Sequence, residues 1–185
     1  ICVADPLREE AEAVVDGLHQ LGVKKLVMMT GDSEKTARAV ARMVGVDAFY
    51  AEVLPEDKAN FIRKEHEAGR KAIMLGDGVN DSPALSEADA GIAIRDGAAI
   101  AREVADITIG GDDLYALLTL KQLSDALMGR IHRNYRNIIG FNLMLICLGV
   151  AGILPPATSA LLHNISTLVI SLKSMTNLLE EPQSF

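Results

Sequence analysis

Short apolar runs alternate with helical patterns over the first 110 residues, and this alternation constrains the fold more than any other feature. Between the runs, apolar residues recur at the spacing of one helix face. The runs are ICVA, KKLVMMT, VDAFYAEV, KAIML, AGIAI and ADITI. Short strands that alternate with helices predict a parallel sheet with helices on both faces. The sequence therefore predicts an α/β fold with these six runs as strand candidates.

Polar residues directly follow three of these runs. Asp5 follows the first run, the string TGD (30–32) ends the second, and Asp77 comes just after the fourth. In parallel sheets, ligands bind at the carboxyl ends of the strands. We therefore expect these residues to lie together at one edge of one sheet.

The string GDGVNDSPAL (76–85) places two carboxylates, Asp77 and Asp81, four residues apart after a predicted strand. Mg²⁺ is commonly held by one or two carboxylates together with water and phosphate oxygens. Gly76 and Gly78 would allow a tight turn and a close approach to a ligand. The alternative is an ordinary polar turn, in which Asp, Gly and Asn are common.

Two further strings fit a phosphate site, and each has a simpler reading. Thr30 in TGD could offer its hydroxyl and amide to a phosphate next to a helix N-terminus; alternatively, Asp32 or Ser33 only caps the helix. Lys58 in LPEDK could neutralise a phosphoryl group, or it could be a surface lysine. In DPLR, Asp5 and Arg8 could contact a nucleotide, or simply cap and pair on a helix.

The charge distribution divides the chain. From residue 138 to residue 179 the only charged residue is Lys173, and Pro155-Pro156 interrupts the apolar sequence. The first segment has 17 residues without a charge and the second, after the prolines, is more polar. Each is near the roughly 20 residues needed to span a bilayer, and their pairing predicts a helical membrane hairpin over 137–179, with a buried core helix as the alternative for the first. Arg130, Arg133 and Arg136 precede the first segment. The positive-inside rule puts the connector and the sheet domain on the cytoplasmic side.

Composition adds two exclusions. The net charge of −7 argues against a nucleic-acid partner. Cys2 and Cys147 lie far apart, so they indicate neither a disulfide framework nor a zinc cluster.

In this order, DPLR, TGD, PEDK and GDGVNDSPAL, followed by a membrane hairpin, resemble the C-terminal part of a P-type ATPase over essentially the entire chain. The resemblance implies a haloacid-dehalogenase-like (Rossmannoid) phosphorylation domain, with Mg²⁺ and ATP as cofactors. It implies that Asp77 holds Mg²⁺ with support from Asp81 and Asn80. These roles suit phosphoryl transfer, which depends mainly on positioning and charge neutralisation.

The resemblance also implies roles for the other strings. Thr30 and Gly31 would bind the transferred phosphoryl group, and Lys58 would stabilise its charge. Three residues, Asp5, Arg8 and Asp32, would lie toward the nucleotide and the hinge. The phosphorylated aspartate of this family lies in DKTGT, which does not occur here, and neither do the TGE and CPx strings. We therefore expect a fragment that forms no phosphoenzyme alone.

The expected organisation has four parts: the second half of the phosphorylation domain (1–111), a helical connector (112–136), the membrane hairpin (137–179) and a cytoplasmic tail (180–185). A single hairpin after the phosphorylation domain favours the heavy-metal (CPx-type) branch. The chain would then belong to a metal efflux pump of the plasma (inner) membrane. The alternatives are a soluble phosphatase of the same fold and a catalytically silent, membrane-anchored regulatory module.

One face of the second predicted span is polar, which indicates either a transport pathway or a helix-packing surface. Candidate ligands of the transported metal are His163, Asn164, Ser166, Thr167 and, from the first span, Asn142. Imidazole with oxygen donors suits Zn, Co, Ni, Mn or Cd better than Cu⁺. Other expected partners are ATP, the lipid bilayer and a metallochaperone.

Overall fold

The protein is described by a computed structural model that covers residues 7–76, 79–94, 103–110 and 113–178. Its residues group into two compact units, one up to Leu118 and one from Thr119 onward. The described strands are β1 (Val27–Met29), β2 (Ala48–Tyr50), β3 (Ile73–Gly76), β4 (Ala90–Ile94) and β5 (Ile107–Ile109). The helices treated below are α1 (Ala11–Gln20), α2 (Glu34–Val44), α3 (Pro55–Glu67), α4 (Ser82–Glu87), α5 (Tyr115–Val150) and α6 (Pro156–Ser174).

The first unit is an α/β structure in which every described strand pair is parallel. β1 pairs with β2, with Val27 opposite Ala48. β4 lies between β3 and β5, with Ile92 opposite both Leu75 and Ile107. Five of the six predicted strands are thus confirmed, while the first, ICVA, lies outside the described residues.

The expectation of one sheet is wrong for the part of the chain that the structure describes. The strands form a two-stranded sheet and a separate three-stranded sheet. Among the described strands, β1 pairs only with β2 and β3 pairs only with β4, so none of them joins the two pairs. β1 and β3 therefore each keep one strand edge that no described strand pairs.

Helices cover these sheets with small and branched apolar side chains. Ala37 and Ala41 of α2 are buried, as are Ala59 and Ile62 of α3. The predicted end of α2 is confirmed, because Gly45 adopts φ 79° and its amide bonds to Ala41 O. This left-handed conformation suits glycine, which has no Cβ.

α3 packs against α4, and α4 packs against β3 and β4. Ala84 and Leu85 of α4 are almost fully buried. Arg63 Nη2 of α3 lies 2.9 Å from Glu87 Oε2 of α4. Gly91 permits the contact of β4 with α4, since an added Cβ would lie 2.6 Å from Leu85 O. α4 is therefore fixed directly after the GDGVND segment.

The second unit contains most of α5, followed by α6. α5 runs without a break through residue 136, where the sequence analysis placed the end of a connector. It ends at Val150, and a turn with Gly152 at φ 72° leads to Pro155 and α6. Among the described residues, no helix is both long enough and apolar enough to cross a bilayer.

Candidate functional site

Thr30 and Asp32 form a closed turn at the carboxyl end of β1. The Thr30 hydroxyl donates to Asp32 Oδ2 at 2.9 Å and accepts from the Asp32 amide at 3.1 Å. Ser33 occupies the N-cap position of α2 without a side-chain capping bond. Ser33 therefore marks the start of α2 without a side-chain bond, while the Asp32 carboxylate bonds to Thr30.

Backbone hydrogen bonds join this turn to the loop after β2. The Thr30 amide donates to Tyr50 O and the Val53 amide to Thr30 O, each at 3.0 Å, while the Glu52 amide donates to Asp32 O at 2.9 Å. Glu52 has φ 54°, a conformation uncommon for a non-glycine residue. The expectation that Thr30 offers its amide to a phosphate is wrong here, because that amide extends the β1–β2 pairing. The Thr30 hydroxyl is the remaining group of this residue that could be directed at a phosphate.

Lys58 lies near the start of α3, which begins after the same loop, and its side chain points inward. Pro55 is the first residue of α3, where its missing N–H costs nothing. The Asp57 carboxylate accepts from the Leu54 amide at 3.2 Å, which fixes the helix start. Lys58 Nζ lies 2.7 Å from Asp81 Oδ1, with the two side chains only 14% and 11% exposed. The alternative of a solvated surface lysine is therefore excluded.

Asp81 ends a single 3-10 turn, Val79–Asp81, that follows β3. A Cβ added to Gly76 would lie 2.6 Å from Asp81 Cβ and 3.0 Å from its Cγ and Oδ2. Gly76 is thus required for the approach of the carboxylate to the strand end. Asn80, by contrast, is exposed.

Three of the predicted site residues need separate statements. Asp77 and Asp5 lie outside the described residues. Arg8 precedes α1, and its carbonyl accepts from the Ala11 amide at 3.1 Å. Gly31 has open surroundings, since an added Cβ would meet only Val53 O at 3.9 Å.

The donors at this edge fit Mg²⁺. Within the described ranges, no three His, Cys, Asp or Glu side chains cluster as a metal site. Mg²⁺ does not need such a cage, because it uses one or two carboxylates, water and phosphate oxygens. Asp81 provides a nearly buried carboxylate at a strand end, in direct sequence neighbourhood of Asp77.

Sequence reasoning missed Ser82, the first residue of α4. Its hydroxyl is buried and has no hydrogen-bond partner among the residues that the structure describes. No pattern in the sequence distinguishes it from an ordinary serine at a helix start.

Sequence reasoning also missed three aspartates at the amino ends of the strands. Each directly precedes a strand and accepts a backbone N–H from the neighbouring strand's start: Asp47 from Leu26 at 2.6 Å, Asp89 from Ala72 at 2.9 Å and Asp106 from Gly91 at 2.8 Å. The Lys71 ammonium, the Ala72 amide and His66 lower the pKa of Asp89 to about 2. The Leu26 amide and His19 lower the pKa of Asp47. The shared signal is an Asp immediately before a short apolar run.

In the second unit, the structure brings together two of the predicted metal ligands. His163 Nδ1 lies 2.7 Å from Asn142 Oδ1. Ser166 and Thr167 instead donate their hydroxyls to the His163 carbonyl, at 2.8 and 3.1 Å, a local bond common for these residues in helices. Asn164 is exposed.

The fold of this chain is similar to that of a known class of proteins. A family model described as a haloacid dehalogenase-like hydrolase matches residues 1–89. A solved 3-deoxy-D-manno-octulosonate 8-phosphate phosphatase from Moraxella catarrhalis has a TM-score of 0.54 at 20% identity, over 65% of this chain and 70% of that one. At that identity the likeness shows the fold alone, and the predicted haloacid-dehalogenase-like class is confirmed.

Two curated proteins narrow the class. A zinc-exporting P-type ATPase of Mycobacterium marinum is 39% identical over 171 residues, which are 92% of this chain and 23% of that protein. A copper-exporting P-type ATPase of Staphylococcus aureus is 42% identical over 156 residues, 84% of this chain and 19% of that protein. The chain therefore spans about a fifth of the length of these curated relatives.

A solved structure supports the same family assignment. The crystal structure of a zinc-transporting PIB-type ATPase in the E2.Pi state matches with a TM-score of 0.86 and 30% identity, over 92% of this chain and 28% of that one. The chain belongs to the heavy-metal-transporting branch of the P-type ATPases, as the strings in its sequence indicated.

Proposed function

We propose that this chain supplies the magnesium–phosphate site of an ATP-driven transition-metal efflux pump that works through an aspartyl phosphate. The observation that carries the proposal is the Lys58–Asp81 contact of 2.7 Å in a nearly buried position. A lysine and a carboxylate held together at strand ends suit a site that binds a cation and a phosphoryl group side by side. Family membership supports the same reading.

Each residue would act through charge or position. The Thr30 hydroxyl would turn from Asp32 to a phosphoryl oxygen, with Gly31 leaving room for the group. Lys58 would face the phosphoryl oxygens while Asp81 keeps its ammonium in place. Asp77 and Asp81 would hold Mg²⁺, with Asn80 in support; bound Mg²⁺ supplies neutralisation of phosphate charge. Asp32, Asp5 and Arg8 would lie toward ATP and the hinge.

We assign the phosphorylated aspartate to another segment of the pump, because DKTGT does not occur in these 185 residues. The 185 residues alone would then form no phosphoenzyme. We place the second half of the phosphorylation domain in residues 1–111.

The membrane part of the proposal concerns residues 137–179, which would form a hairpin after the connector 112–136, with residues 180–185 and the phosphorylation domain on the cytoplasmic side of the plasma membrane. Support comes from a stretch whose only charge is Lys173. His163 and Asn142 would contribute to a site for a divalent ion such as Zn, Co, Ni, Mn or Cd, with Asn164, Ser166 and Thr167 nearby. Zinc and copper pumps both occur among the relatives, so the divalent preference rests on donor chemistry.

The Mg²⁺ assignment is tested with Asp77→Asn in the full-length pump that carries this sequence. Phosphoenzyme formation from ATP, measured with and without Mg²⁺, should be abolished. Asp16→Asn, which changes an exposed aspartate of α1, is the matched control and should leave phosphoenzyme formation intact. Normal phosphoenzyme levels in Asp77→Asn would refute the assignment.

The metal assignment is tested with His163→Ala. ATP hydrolysis stimulated by each of the five divalent ions and by Cu⁺ should fall for the transported ion. His132→Ala is the control, because His132 is an exposed histidine of α5 whose Nδ1 bonds to Met128 O. An unchanged metal response in His163→Ala would return His163 to a packing role.

A further inference from the structure

Arg130 holds the carboxyl end of α6. Its Nη1 donates to Ser174 O at 2.9 Å and to Thr176 O at 2.5 Å, and its Nη2 donates to Asn177 O at 2.7 Å. The last carbonyls of a helix lack intrahelical partners, and a cation near them is favoured by the helix dipole. One guanidinium therefore serves the carbonyl of Ser174, the last residue of α6, and the carbonyls of Thr176 and Asn177 in the segment that follows the helix.

A second contact lies one turn further along α5. Asn134 Nδ2 donates to Ser174 Oγ at 2.6 Å, and Ser174 Oγ donates to Ile170 O at 2.8 Å. Two successive turns of α5 thus hold the same end of α6. We call Arg130, Asn134 and the segment 174–177 the hairpin clamp.

The separation between the hairpin clamp and the His163–Asn142 contact is nearly the same along α5 as along the antiparallel helix α6. Arg130 and Asn142 are 12 positions apart, or about 18 Å along a helix at 1.5 Å per residue. Ser174 and His163 are 11 positions apart, or about 17 Å. A slip of α6 by one turn at the clamp would move His163 about 5 Å from Asn142.

The contact with Asn142 also decides which imidazole nitrogen faces outward. If His163 Nδ1 donates to Asn142 Oδ1, then Nε2 carries the lone pair that a metal ion needs. Histidine ligands commonly donate their second N–H in this way, and loss of that partner costs about 10- to 100-fold in metal affinity or activity. The register of the hairpin therefore decides whether His163 Nδ1 keeps its Asn142 partner and Nε2 is available to a metal ion.

We propose that Arg130 is a positioning residue that fixes the register of the α5–α6 hairpin and so holds His163 in its metal-binding orientation. The proposal rests on the metal role of His163 stated above. It separates Arg130 from Arg133, an exposed arginine of the same helix. Arg133 has the same charge near the proposed membrane entrance, but it takes no part in the clamp.

The first experiment compares Arg130→Ala, Arg130→Lys and the control Arg133→Ala in the full-length pump. We expect Arg130→Ala to raise the metal concentration for half-maximal ATP hydrolysis about tenfold or more. Arg130→Lys should be intermediate, since an ammonium lacks the planar fork of donors. Phosphorylation by inorganic phosphate without metal should match the wild type in all three, which shows that the proteins are folded. Equal effects of Arg133→Ala and Arg130→Ala would overturn the proposal in favour of a simple charge effect.

The second experiment tests whether Arg130 acts through His163. Arg130→Ala combined with His163→Ala should respond to metal no worse than His163→Ala alone. A further loss in the double variant would overturn the positioning role.

Hydrogen exchange at residues 174–178 separates this proposal from the pump assignment. Exchange should be faster in Arg130→Ala than in the wild type and unchanged in Arg133→Ala. A wild-type protein without metal-stimulated hydrolysis would defeat the pump assignment, yet the exchange result would still decide the clamp. Equal exchange in Arg130→Ala and the wild type would overturn the clamp whatever the activity.

Discussion

Aspartates at the two ends of the parallel strands are held in contrasting ways. At the amino ends, Asp47, Asp89 and Asp106 each accept a backbone N–H from the neighbouring strand. At the carboxyl ends, Asp81 contacts the side chain of Lys58, and Asp32 contacts Thr30. The first group is bonded to the backbone of the sheet, and Asp47 and Asp89 have side-chain partners in addition. Asp81 and Asp32 are instead held by the side chains of Lys58 and Thr30.

This difference separates stability from chemistry. A carboxylate that accepts backbone N–H groups fixes where a strand begins, and its charged form is favoured by folding. A nearly buried carboxylate beside a lysine is costly to maintain, because both charges lose water. Such a pair is retained where a charged ligand makes use of it, so the carboxyl ends are the part of the fold in which substitutions should affect activity most.

Among the substitutions that test this contrast between the strand ends, the largest effect is expected from Lys58→Met, which removes the cation at the carboxyl ends and keeps an aliphatic side chain. ATP hydrolysis by the full-length pump should fall about 10²- to 10³-fold, the usual cost of losing one group that stabilises transition-state charge. Lys64→Met, an exposed lysine of the same helix, should remain close to wild type. Since Lys58→Met leaves Asp81 without its cation, the melting temperature of each variant is measured in parallel. Hydrolysis above a tenth of wild type would contradict a phosphoryl-binding role for Lys58.

A second test changes Gly76, the last residue of β3. Gly76→Ala places a Cβ 2.6 Å from Asp81 Cβ, so either the strand or the carboxylate must shift. Overpacking of this kind costs about 1–3 kcal/mol in the free energy of unfolding. Urea unfolding of the 185-residue chain measures it, with Gly110→Ala as control, because nothing lies within 4 Å of a Cβ at Gly110. Equal unfolding midpoints for the two variants would show that Gly76 is not needed for the placement of Asp81.

The sequence predicted those parts of the fold that depend on local pattern. Five strands and the end of α2 at Gly45 followed from apolar runs and turn residues. A phosphoryl-binding role for Lys58 followed only from the resemblance of several strings taken together. Its inward position was not predicted, since one lysine at a helix start carries no signal of burial.

The parts that the sequence did not predict depend on contacts between distant residues. Asp89 meets Ala72 across 17 positions, and Asp47 meets Leu26 across 21. Arg130 reaches Asn177 across 47. Periodicity describes one element at a time, so it gives no information on which residues of two elements come together.

The smallest expected effect concerns the amino ends. Asp89 has a pKa of about 2 in the fold and a usual value of 3.8. A lowered folded-state pKa means that Asp89 stabilises the fold fully above about pH 4 and loses this contribution as the pH falls toward 2. Asp89→Ala also leaves the Ala72 amide without its acceptor. The variant should therefore unfold at lower urea than the wild type at pH 6, and the difference between their midpoints should shrink between pH 4 and pH 2.

Asp16→Ala is the control for that pH series, because Asp16 is an exposed aspartate of α1. Its urea midpoint should follow that of the wild type in parallel at every pH. A constant difference between Asp89→Ala and the wild type from pH 6 to pH 2 would show that the carboxylate charge contributes nothing and that only the hydrogen bond matters. In the full-length pump, Asp89→Ala should keep its ATP turnover at neutral pH, since Asp89 lies at the opposite strand ends from Lys58 and Asp81. Loss of turnover in a folded Asp89→Ala protein would therefore break the separation between stabilising and functional aspartates.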